Sequence, residues 1–273
     1  MSQSDAEKNA LDSVWDEKSK IAYSNPYFSS AVDRMVPTLG TIESDVSGRY
    51  GRWQPEEFRA SRLARLAWSV AAPATVLDIG GGNMLAADYF NGKGSSVDVC
   101  DFPSSPYLSF RDNSADSPAR TFYAGDFNSI QIEERYDLVW ASHVLEHQEN
   151  VGSFLKKVVA VCSEDGYIAL AVPPRKPFIV SGHINLFNPG LLVYRVILAG
   201  VDCSNAKIFQ YDNNICLLVK RVPASIPPIN YDIGDLGLLK RFFPKDLDIT
   251  EGFNGDFMHC GFTGDDFELA FGA

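Results

Sequence analysis

Short apolar runs alternate with helix-forming stretches through the middle of the chain, from residue 71 to residue 221. Five of these runs are rich in Val, Leu, Ile, Phe and Tyr and predict β-strands. They are Val76–Ile79, Val97–Asp101, Thr121–Tyr123, Leu138–Ala141 and Tyr167–Val172. Because helical patterns separate the strands, the chain is predicted to form a doubly wound α/β sheet.

Further signals follow the fourth strand. A glycine turn is expected at Gly166, just before the fifth strand. Asn188-Pro189 is typical of a helix cap followed by proline at the first helical position. Beyond that helix, Ala206–Gln210 and Ile215–Lys220 flank the turn sequence Asp212-Asn213-Asn214, which predicts a closing antiparallel hairpin.

The segments on either side of this domain have a different character. Residues 1–70 predict a helical N-terminal lid, with an amphipathic helix near its start and a second helix from Pro55 to Val70. Between these helices, Gly48–Trp53 alternates basic and aromatic residues, which suits either an ordinary loop or contact with an anionic substrate. Residues 222–273 carry many glycines and aromatics and predict an irregular appendage packed on the domain of residues 71–221.

Composition narrows the classes of partner. A hydrophobic content of 45% and a charged content of 22% over 273 residues are ordinary for a globular protein. The net charge of −11 opposes general binding to nucleic acid or to an anionic membrane. The five scattered cysteines form no C-x-x-C pair, and the start of the chain has no apolar signal region. These features predict a cytoplasmic protein with reduced thiols and no membrane or nucleic-acid partner.

The first strand and the turn after it carry the candidate chemistry. Asp78 lies in the strand, and Gly80, Gly81 and Gly82 follow at once. The second strand ends in another acid, Asp101. Glycines allow a sharp turn and a close approach of ligand to backbone N–H groups, and an acid at the next strand end can accept bonds from ribose hydroxyls. The pattern therefore predicts a nucleoside pocket.

The spacing of the glycines indicates which nucleoside is bound. The dinucleotide fingerprint G-x-G-x-x-G fails, because its third glycine would fall on Leu85, and no phosphate-binding G-x-x-x-x-G-K-[ST] sequence is present. The segment from Val76 to Asn91 contains no Lys or Arg but does contain Asp78 and Asp88. This suits a positively charged ligand without phosphates, such as S-adenosylmethionine.

The sequences VLDIGGGN and VDVCD resemble motif I and the acidic strand of class I S-adenosylmethionine-dependent methyltransferases. The resemblance implies a mostly parallel, seven-stranded, Rossmann-like sheet, made of five parallel strands and an antiparallel hairpin, with S-adenosylmethionine as cofactor. It also implies that Asp78, Gly80 and Gly82 surround the methionine moiety. Asp101, with Phe102 beside it, is expected at the ribose.

The resemblance extends to the ends of the later strands. It implies that Asp126 bonds the adenine amino group and that Phe127 covers the adenine ring. Ser142 and His143, at the tip of the fourth strand, are expected near the methyl donor. His183 lies on a loop after the fifth strand that would face the acceptor. His143 and His183 are the candidate general bases, and His183 is preferred.

The string from His143 to His147 leaves a metal site open as an alternative. It matches the inverted zinc-protease motif H-x-x-E-H, but it follows a buried strand and does not lie inside a helix. Some class I methyltransferases hold a divalent cation with E-x-x-E-H at this junction and a later histidine. Here His143 replaces the first acid, whereas Glu146, His147 and His183 are present. Because imidazole suits softer ions than Mg²⁺, local hydrogen bonding is the preferred reading and no metal is expected.

The expected reaction is methylation of a hydroxyl group on a small-molecule or glycan acceptor. The sequences GHINLFNPGLLVYRVILAGVDC and GFNGDF are similar to bacterial methyltransferases of surface-polysaccharide pathways, which implies a sugar acceptor. A lipid-like or natural-product hydroxyl is the alternative acceptor. An inactive module that only binds the donor also stays open, because motif I departs from D-x-G-x-G-x-G at Met84.

Overall fold

The computed structural model describes residues 58–110, 117–176, 179–247 and 249. The helices are α1 (Ser61–Ala71), α2 (Leu85–Gly92), α3 (Val151–Val161), α4 (Pro189–Leu198) and α5 (Asp235–Leu239). The strands are β1 (Thr75–Ile79), β2 (Ser96–Asp101), β3 (Thr121–Ala124), β4 (Tyr136–Ser142), β5 (Cys162–Val172), β6 (Lys207–Tyr211) and β7 (Asn214–Lys220). Short 3₁₀ turns cover Pro106–Phe110, Leu145–His147 and Lys240–Phe242.

The seven strands form one sheet in the order β3-β2-β1-β4-β5-β7-β6. Strands β1 to β5 are mutually parallel, and β7 runs antiparallel between β5 and β6. The predicted seven-stranded, mostly parallel sheet is therefore confirmed. The strand order reverses between β1 and β4, and ligands of doubly wound sheets bind outside the carboxyl ends of the strands at such a switch point.

Alternating side chains on the strands pack against two helical layers. Leu77 and Ile79 of β1 belong to the core under α3 and α4, whereas Val76 belongs to the core under α1 and α2. On the second face, the ring centroid of Trp140 lies 5.6 Å from that of Phe90. Both faces of the sheet are thus covered, which explains why its central strands read as continuous apolar runs.

Two local predictions are confirmed by the hydrogen bonding. The Asn188 side chain accepts a bond of 2.7 Å from the backbone N–H of Leu191, so it caps α4 as the Asn-Pro sequence predicts. The hairpin forms between β6 and β7, and Asp212 adopts a left-handed backbone in its turn with φ 48°. A short polar turn residue tolerates this conformation, which explains the turn signal.

Other boundaries differ from the predictions. The helix expected from Pro55 begins at Ser61, while the residues before 58 lie outside the described part of the chain. The turn expected at Gly166 is wrong, because Gly166 lies inside β5. The ladder between β4 and β5 shifts there: Tyr136 pairs with Cys162 and Leu138 pairs with Tyr167. A glycine at such an irregularity in a strand gives the same local signal as a turn.

Part of the C-terminal segment packs on the sheet domain. Leu239, Phe242 and Phe243 are buried in the core that also contains residues of α3 and α4. The expected first helix, the Gly48–Trp53 segment and the aromatics from residue 253 onward lie outside the described residues. Within the described residues, no helix is long and apolar enough to cross a membrane.

Candidate active site

The turn after β1 is held against β2 at the carboxyl edge of the sheet. The backbone N–H of Gly80 donates to the carbonyl of Cys100 at 2.8 Å. Gly80 has φ +70°, and a Cβ at this position would lie 2.4 Å from Cγ2 of Val144. Both the backbone conformation and the close approach of the β4 loop therefore require glycine here.

Asp78 is a buried carboxylate that faces this turn. The residue is 2% exposed, and its Oδ2 has no hydrogen-bond partner among the described residues. Burial, and secondarily the nearby Asp101 carboxylate, raises the pKa of Asp78 to about 7. A buried carboxylate without a partner is costly to keep charged, so this position favours a cationic ligand group.

Asp101 is already oriented by backbone N–H groups. Its Oδ2 accepts a bond of 2.7 Å from Gly82, and its Oδ1 accepts a bond of 2.7 Å from Phe102. Each carboxylate oxygen keeps a further acceptor site, so the group can still receive two hydroxyl donors. Phe102 is 52% exposed beside it, and its ring is available to a ligand.

The two residues after β3 that are predicted to contact adenine differ in their exposure and contacts. Asp126 is half-exposed, and its Oδ1 accepts bonds from the backbone and the side chain of Asn128. Phe127 is 5% exposed, its ring centroid lies 5.2 Å from that of Phe154, and the ammonium of Lys157 lies over it. This place suits core packing better than a cover for adenine, so we leave Phe127 out of the proposed donor pocket.

His143 is enclosed and differs from a free base. Ser142 ends β4 beside Ala171 of β5, and His143 then turns the chain with a left-handed backbone of φ 58°. The His143 side chain is 11% exposed, with Nε2 2.8 Å from Oδ1 of Asn214 and Nδ1 3.2 Å from Oε1 of Glu146. Asn214 engages one ring nitrogen and the buried Glu146 carboxylate faces the other, so the arrangement supports a positioning role and not the base role expected for His143.

The loop after β5 brings His183 to the same edge. The carbonyl of Glu146 accepts bonds from the backbone N–H groups of Ile184 (2.9 Å) and Asn185 (3.1 Å), and the Asn185 side chain donates to the carbonyl of Gln148 at 2.7 Å. The His183 ring stands nearly perpendicular to that of His147, with 5.0 Å between the ring centroids. These hydrogen bonds hold the loop of His183 against the segment that contains Glu146 and His147, although the two segments are far apart in sequence.

His183 lines a cavity of about 220 Å³. The other residues around this cavity are Pro173, Pro174, Lys176, Ile179, Val180, Ile184, Asn185 and Leu186. Burial of the ring lowers the pKa of His183, and the Glu146 carboxylate opposes that shift. A lowered pKa favours the neutral imidazole, whose free lone pair can accept a proton or bind a metal ion.

Glu146 is the centre of the group of residues that the sequence left open as a metal site, and the structure brings these residues together. Its side chain is fully buried, and neither oxygen makes a hydrogen bond among the described residues. The contact of 3.2 Å with His143 is close enough for an ion pair but lacks hydrogen-bond alignment. Glu146, His147 and His183 offer ligand atoms that lie within 4.8 Å of one another. These three residues, which we call the Glu146 cluster, could hold a metal ion.

The residues at the β1–β2 edge fit S-adenosylmethionine, the cofactor that the sequence resemblance implies. The unpartnered oxygen of Asp78 can be satisfied by an ammonium group. Asp101 is oriented by two N–H groups and keeps acceptor sites for ribose hydroxyls. No basic side chain lies in the turn from Gly80 to Met84, as expected for a ligand without phosphates.

Comparison with known proteins gives a family and a fold. A family model described as a methyltransferase domain matches residues 50–191, just over half of the chain. Comparison with curated proteins finds no significant match.

Several solved structures are similar to the described fold. Burkholderia thailandensis 1,6-didemethyltoxoflavin-N1-methyltransferase, bound to 1,6-didemethyltoxoflavin and S-adenosylhomocysteine, is 18% identical with a TM-score of 0.50, over 72% of this chain and 91% of that chain. Human N-acetylserotonin methyltransferase with bound S-adenosylmethionine is 18% identical with a TM-score of 0.46, over 66% of this chain and 65% of the human chain. Mitomycin 7-O-methyltransferase is 13% identical with a TM-score of 0.45, over 74% of this chain and 60% of that one.

At 18% identity, the match with a TM-score of 0.50 shows a common fold and not a common acceptor. The sequence matches the family model, and the structure independently has the strand order and the antiparallel seventh strand described above. The chain therefore belongs to the methyltransferase domain family, and its seven-stranded fold is that of the class I S-adenosylmethionine-dependent methyltransferases.

Proposed function

We propose that this protein transfers the methyl group of S-adenosylmethionine to a hydroxyl oxygen of a small acceptor, such as a sugar. The observation that carries the proposal is the placement of Asp78 and Asp101 on neighbouring strands at the carboxyl edge of the sheet that also bears, after β5, a cavity lined by His183. The cofactor supplies a methyl group already activated on a cationic sulfonium. The protein must align the two ligands, exclude water and handle the hydroxyl proton.

The donor side uses the two strand-end acids. In this proposal Asp78 pairs with the ammonium group of the methionine moiety, and Gly80 and Gly82 let the backbone approach it. Asp101 accepts bonds from the ribose hydroxyls, with the exposed ring of Phe102 beside it. The two carboxylates together favour a cationic donor.

Two further side chains complete the donor side. Asp126 is proposed to accept a bond from the adenine amino group, since its second oxygen is not used by Asn128. Ser142 ends β4 at the same edge and is proposed to line the pocket near the methyl group.

The acceptor side uses the loop after β5. His183 lines the cavity and belongs to the Glu146 cluster, so we propose that this cluster activates the acceptor hydroxyl. An unassisted alcohol is a poor nucleophile near neutral pH, and such assistance is worth roughly 10²–10⁴-fold. His143 is proposed to orient Glu146 through their contact of 3.2 Å.

The cavity walls favour a second acceptor class. Most of the lining side chains are aliphatic or proline, and Lys176 is the charged member of the set. Ile179, Ile184 and Leu186 are exposed, with 100%, 60% and 54% of their surface accessible. A hydroxyl on a largely apolar natural product or lipid-like molecule would cover this surface better than a sugar. The resemblance to surface-polysaccharide methyltransferases instead supports a sugar.

A labelled-donor assay tests the proposal. The protein is incubated with S-adenosylmethionine carrying a labelled methyl group and with matched panels of glycosides, apolar alcohols and the corresponding amines. We expect methylated product with alcohols from one of the first two panels, and the Asp101→Ala variant should form much less of it when the donor is below saturation. Methylation of amines alone would contradict the hydroxyl assignment. Binding of the donor without any product from any panel would favour the inactive binding module.

A further inference from the structure

We propose that the Glu146 cluster binds a divalent transition-metal ion of the Zn²⁺ type, held by one carboxylate oxygen and two imidazole nitrogens. Three protein ligands of this kind are the set found at catalytic zinc sites, where a further position stays open. Two imidazoles with one carboxylate favour Zn²⁺, Fe²⁺ or Co²⁺ over Mg²⁺ and Ca²⁺, which prefer oxygen ligands. The inference deepens the proposed function and rests on it only for the ion's role with the acceptor.

The buried carboxylate is the first observation behind the site. Glu146 has no exposed side-chain surface, and neither of its oxygens makes a hydrogen bond among the described residues. A buried charge that lacks such partners is strongly unfavourable unless a cation compensates it. Two histidine rings of the described residues face it: Nδ1 of His143 lies 3.2 Å and Nε2 of His147 lies 3.8 Å from Oε1.

The orientation of His147 is the second, independent observation. Its Nδ1 lies 2.8 Å from the carbonyl oxygen of Gly182, so Nδ1 carries the proton and donates it. Nε2 is then left with its lone pair on the side of Glu146. Metal-binding histidines are oriented in this way, with the second ring nitrogen donating to a backbone carbonyl.

The loop that carries His183 also has the geometry that a metal site requires. Gly182 has φ +80°, and a Cβ there would lie 3.2 Å from Nδ1 of His147, so glycine allows the carbonyl to approach the ring. The ligand atoms of the three residues lie within 4.8 Å of one another. Ligands of a tetrahedral zinc ion are roughly 3.3 Å apart, given bond lengths near 2.0 Å, so a contraction of at most about 1.5 Å completes the site.

The cluster borders the proposed acceptor cavity, which gives the ion a role. His183 lines that cavity, so the open position of the ion is available to the acceptor hydroxyl. Coordination to the ion lowers the pKa of the hydroxyl, and the released proton passes to solvent. His183 then acts as a ligand, and this replaces the free-base role that its sequence position predicts.

Metal binding by the 273-residue protein, first stripped with a chelator, provides the test. Calorimetric titration with Zn²⁺ and the visible absorption of added Co²⁺ are the two measurements, with Mg²⁺ as the competing ion. We expect one ion per chain and no competition from Mg²⁺. Glu146→Gln, His147→Ala and His183→Ala should each weaken binding at least about a hundredfold, because loss of an outer partner alone costs about 10–100-fold. Gly182→Ala should fall within that outer-partner range.

The control variant is Glu149→Gln, which removes one carboxylate charge from an exposed position three residues away and should bind like the wild type. Circular dichroism checks folding, and the exposed His147 gives a variant that disturbs the core least. Absence of a bound ion in the folded wild type, or unchanged Zn²⁺ affinity in both Glu146→Gln and His147→Ala, would overturn the inference. Affinity for S-adenosylhomocysteine, measured on the same samples, tests the proposed donor pocket separately.

Discussion

Replacing Asp78 with asparagine should stabilise the free protein, by an amount that grows as the pH rises. The Asp78 carboxyl group is fully buried and one of its oxygens has no hydrogen-bond partner among the described residues. Burial and the Asp101 charge raise its pKa from 3.8 to about 7 in the folded state. Between these two values the unfolded chain releases the proton and the folded chain keeps it, so stability falls as the pH rises.

The magnitude follows from the shift. One pKa unit corresponds to about 1.4 kcal/mol, so the wild type loses roughly 2 kcal/mol by pH 5.5 and roughly 4 kcal/mol by pH 8.5. The asparagine side chain does not titrate, so the variant has no such pH-dependent loss of stability. Burial of its amide adds a cost that does not depend on pH. The difference in the free energy of unfolding between variant and wild type should therefore increase by about 2 kcal/mol from pH 5.5 to pH 8.5.

Urea unfolding at these two pH values, followed by circular dichroism without donor, measures this difference. Asp165→Asn is the control, because the Asp165 side chain is 95% exposed and its loss should change stability by no more than about 0.5 kcal/mol at either pH. The same Asp78→Asn variant should bind S-adenosylmethionine more weakly, since it cannot pair with the ammonium group as a charge. If the difference in the free energy of unfolding between variant and wild type stays constant with pH, Asp78 is not a buried acid with a raised pKa.

Three further predictions concern single side chains. Asp101→Ala should weaken donor binding at least about tenfold in calorimetry without loss of the circular dichroism signal, because charge-assisted bonds are worth about 1.5–3 kcal/mol each; unchanged affinity would show that the end of β2 is not at the ribose. His183→Ala should lower turnover by roughly 10²–10⁴-fold and leave donor affinity nearly unchanged. Turnover equal to that of the wild type would show that His183 does not take part in activating the acceptor. Asn188→Ala should lower the free energy of unfolding by about 1 kcal/mol through loss of the cap on α4, whereas an effect below about 0.3 kcal/mol would contradict that capping role.

Features encoded within a few neighbouring residues could be predicted from the sequence. The strand, glycine turn and acid around Gly80 form a local pattern, and so does the Asn188 cap. The hairpin turn at Asp212 belongs to the same group. In each case the residue type itself satisfies the backbone conformation or hydrogen bond that the structure requires at that point.

Features that depend on distant segments could not be predicted in this way. His143 follows a strand end as expected, but its enclosure depends on Asn214, 71 residues further along the chain. The burial of Glu146 depends on the loop that contains His183, which is pinned to the carbonyl of Glu146 itself. Phe127 follows the strand-end acid Asp126 at the position that the resemblance assigns to an adenine cover, yet its side chain packs in the core. The local sequence predicts where such a residue lies on its strand or loop, but it does not predict which side chains from distant segments will surround it.

The central claim is that the sheet edge between Gly80 and Asp101 binds S-adenosylmethionine. Calorimetric titration of the protein with S-adenosylhomocysteine and, in a separate experiment, with NAD tests it most directly. Saturable binding of one S-adenosylhomocysteine per chain, lost or at least tenfold weaker in Asp101→Ala, together with no measurable heat from NAD, is the expected result. Tight binding of NAD, with no response to S-adenosylhomocysteine, would contradict the claim.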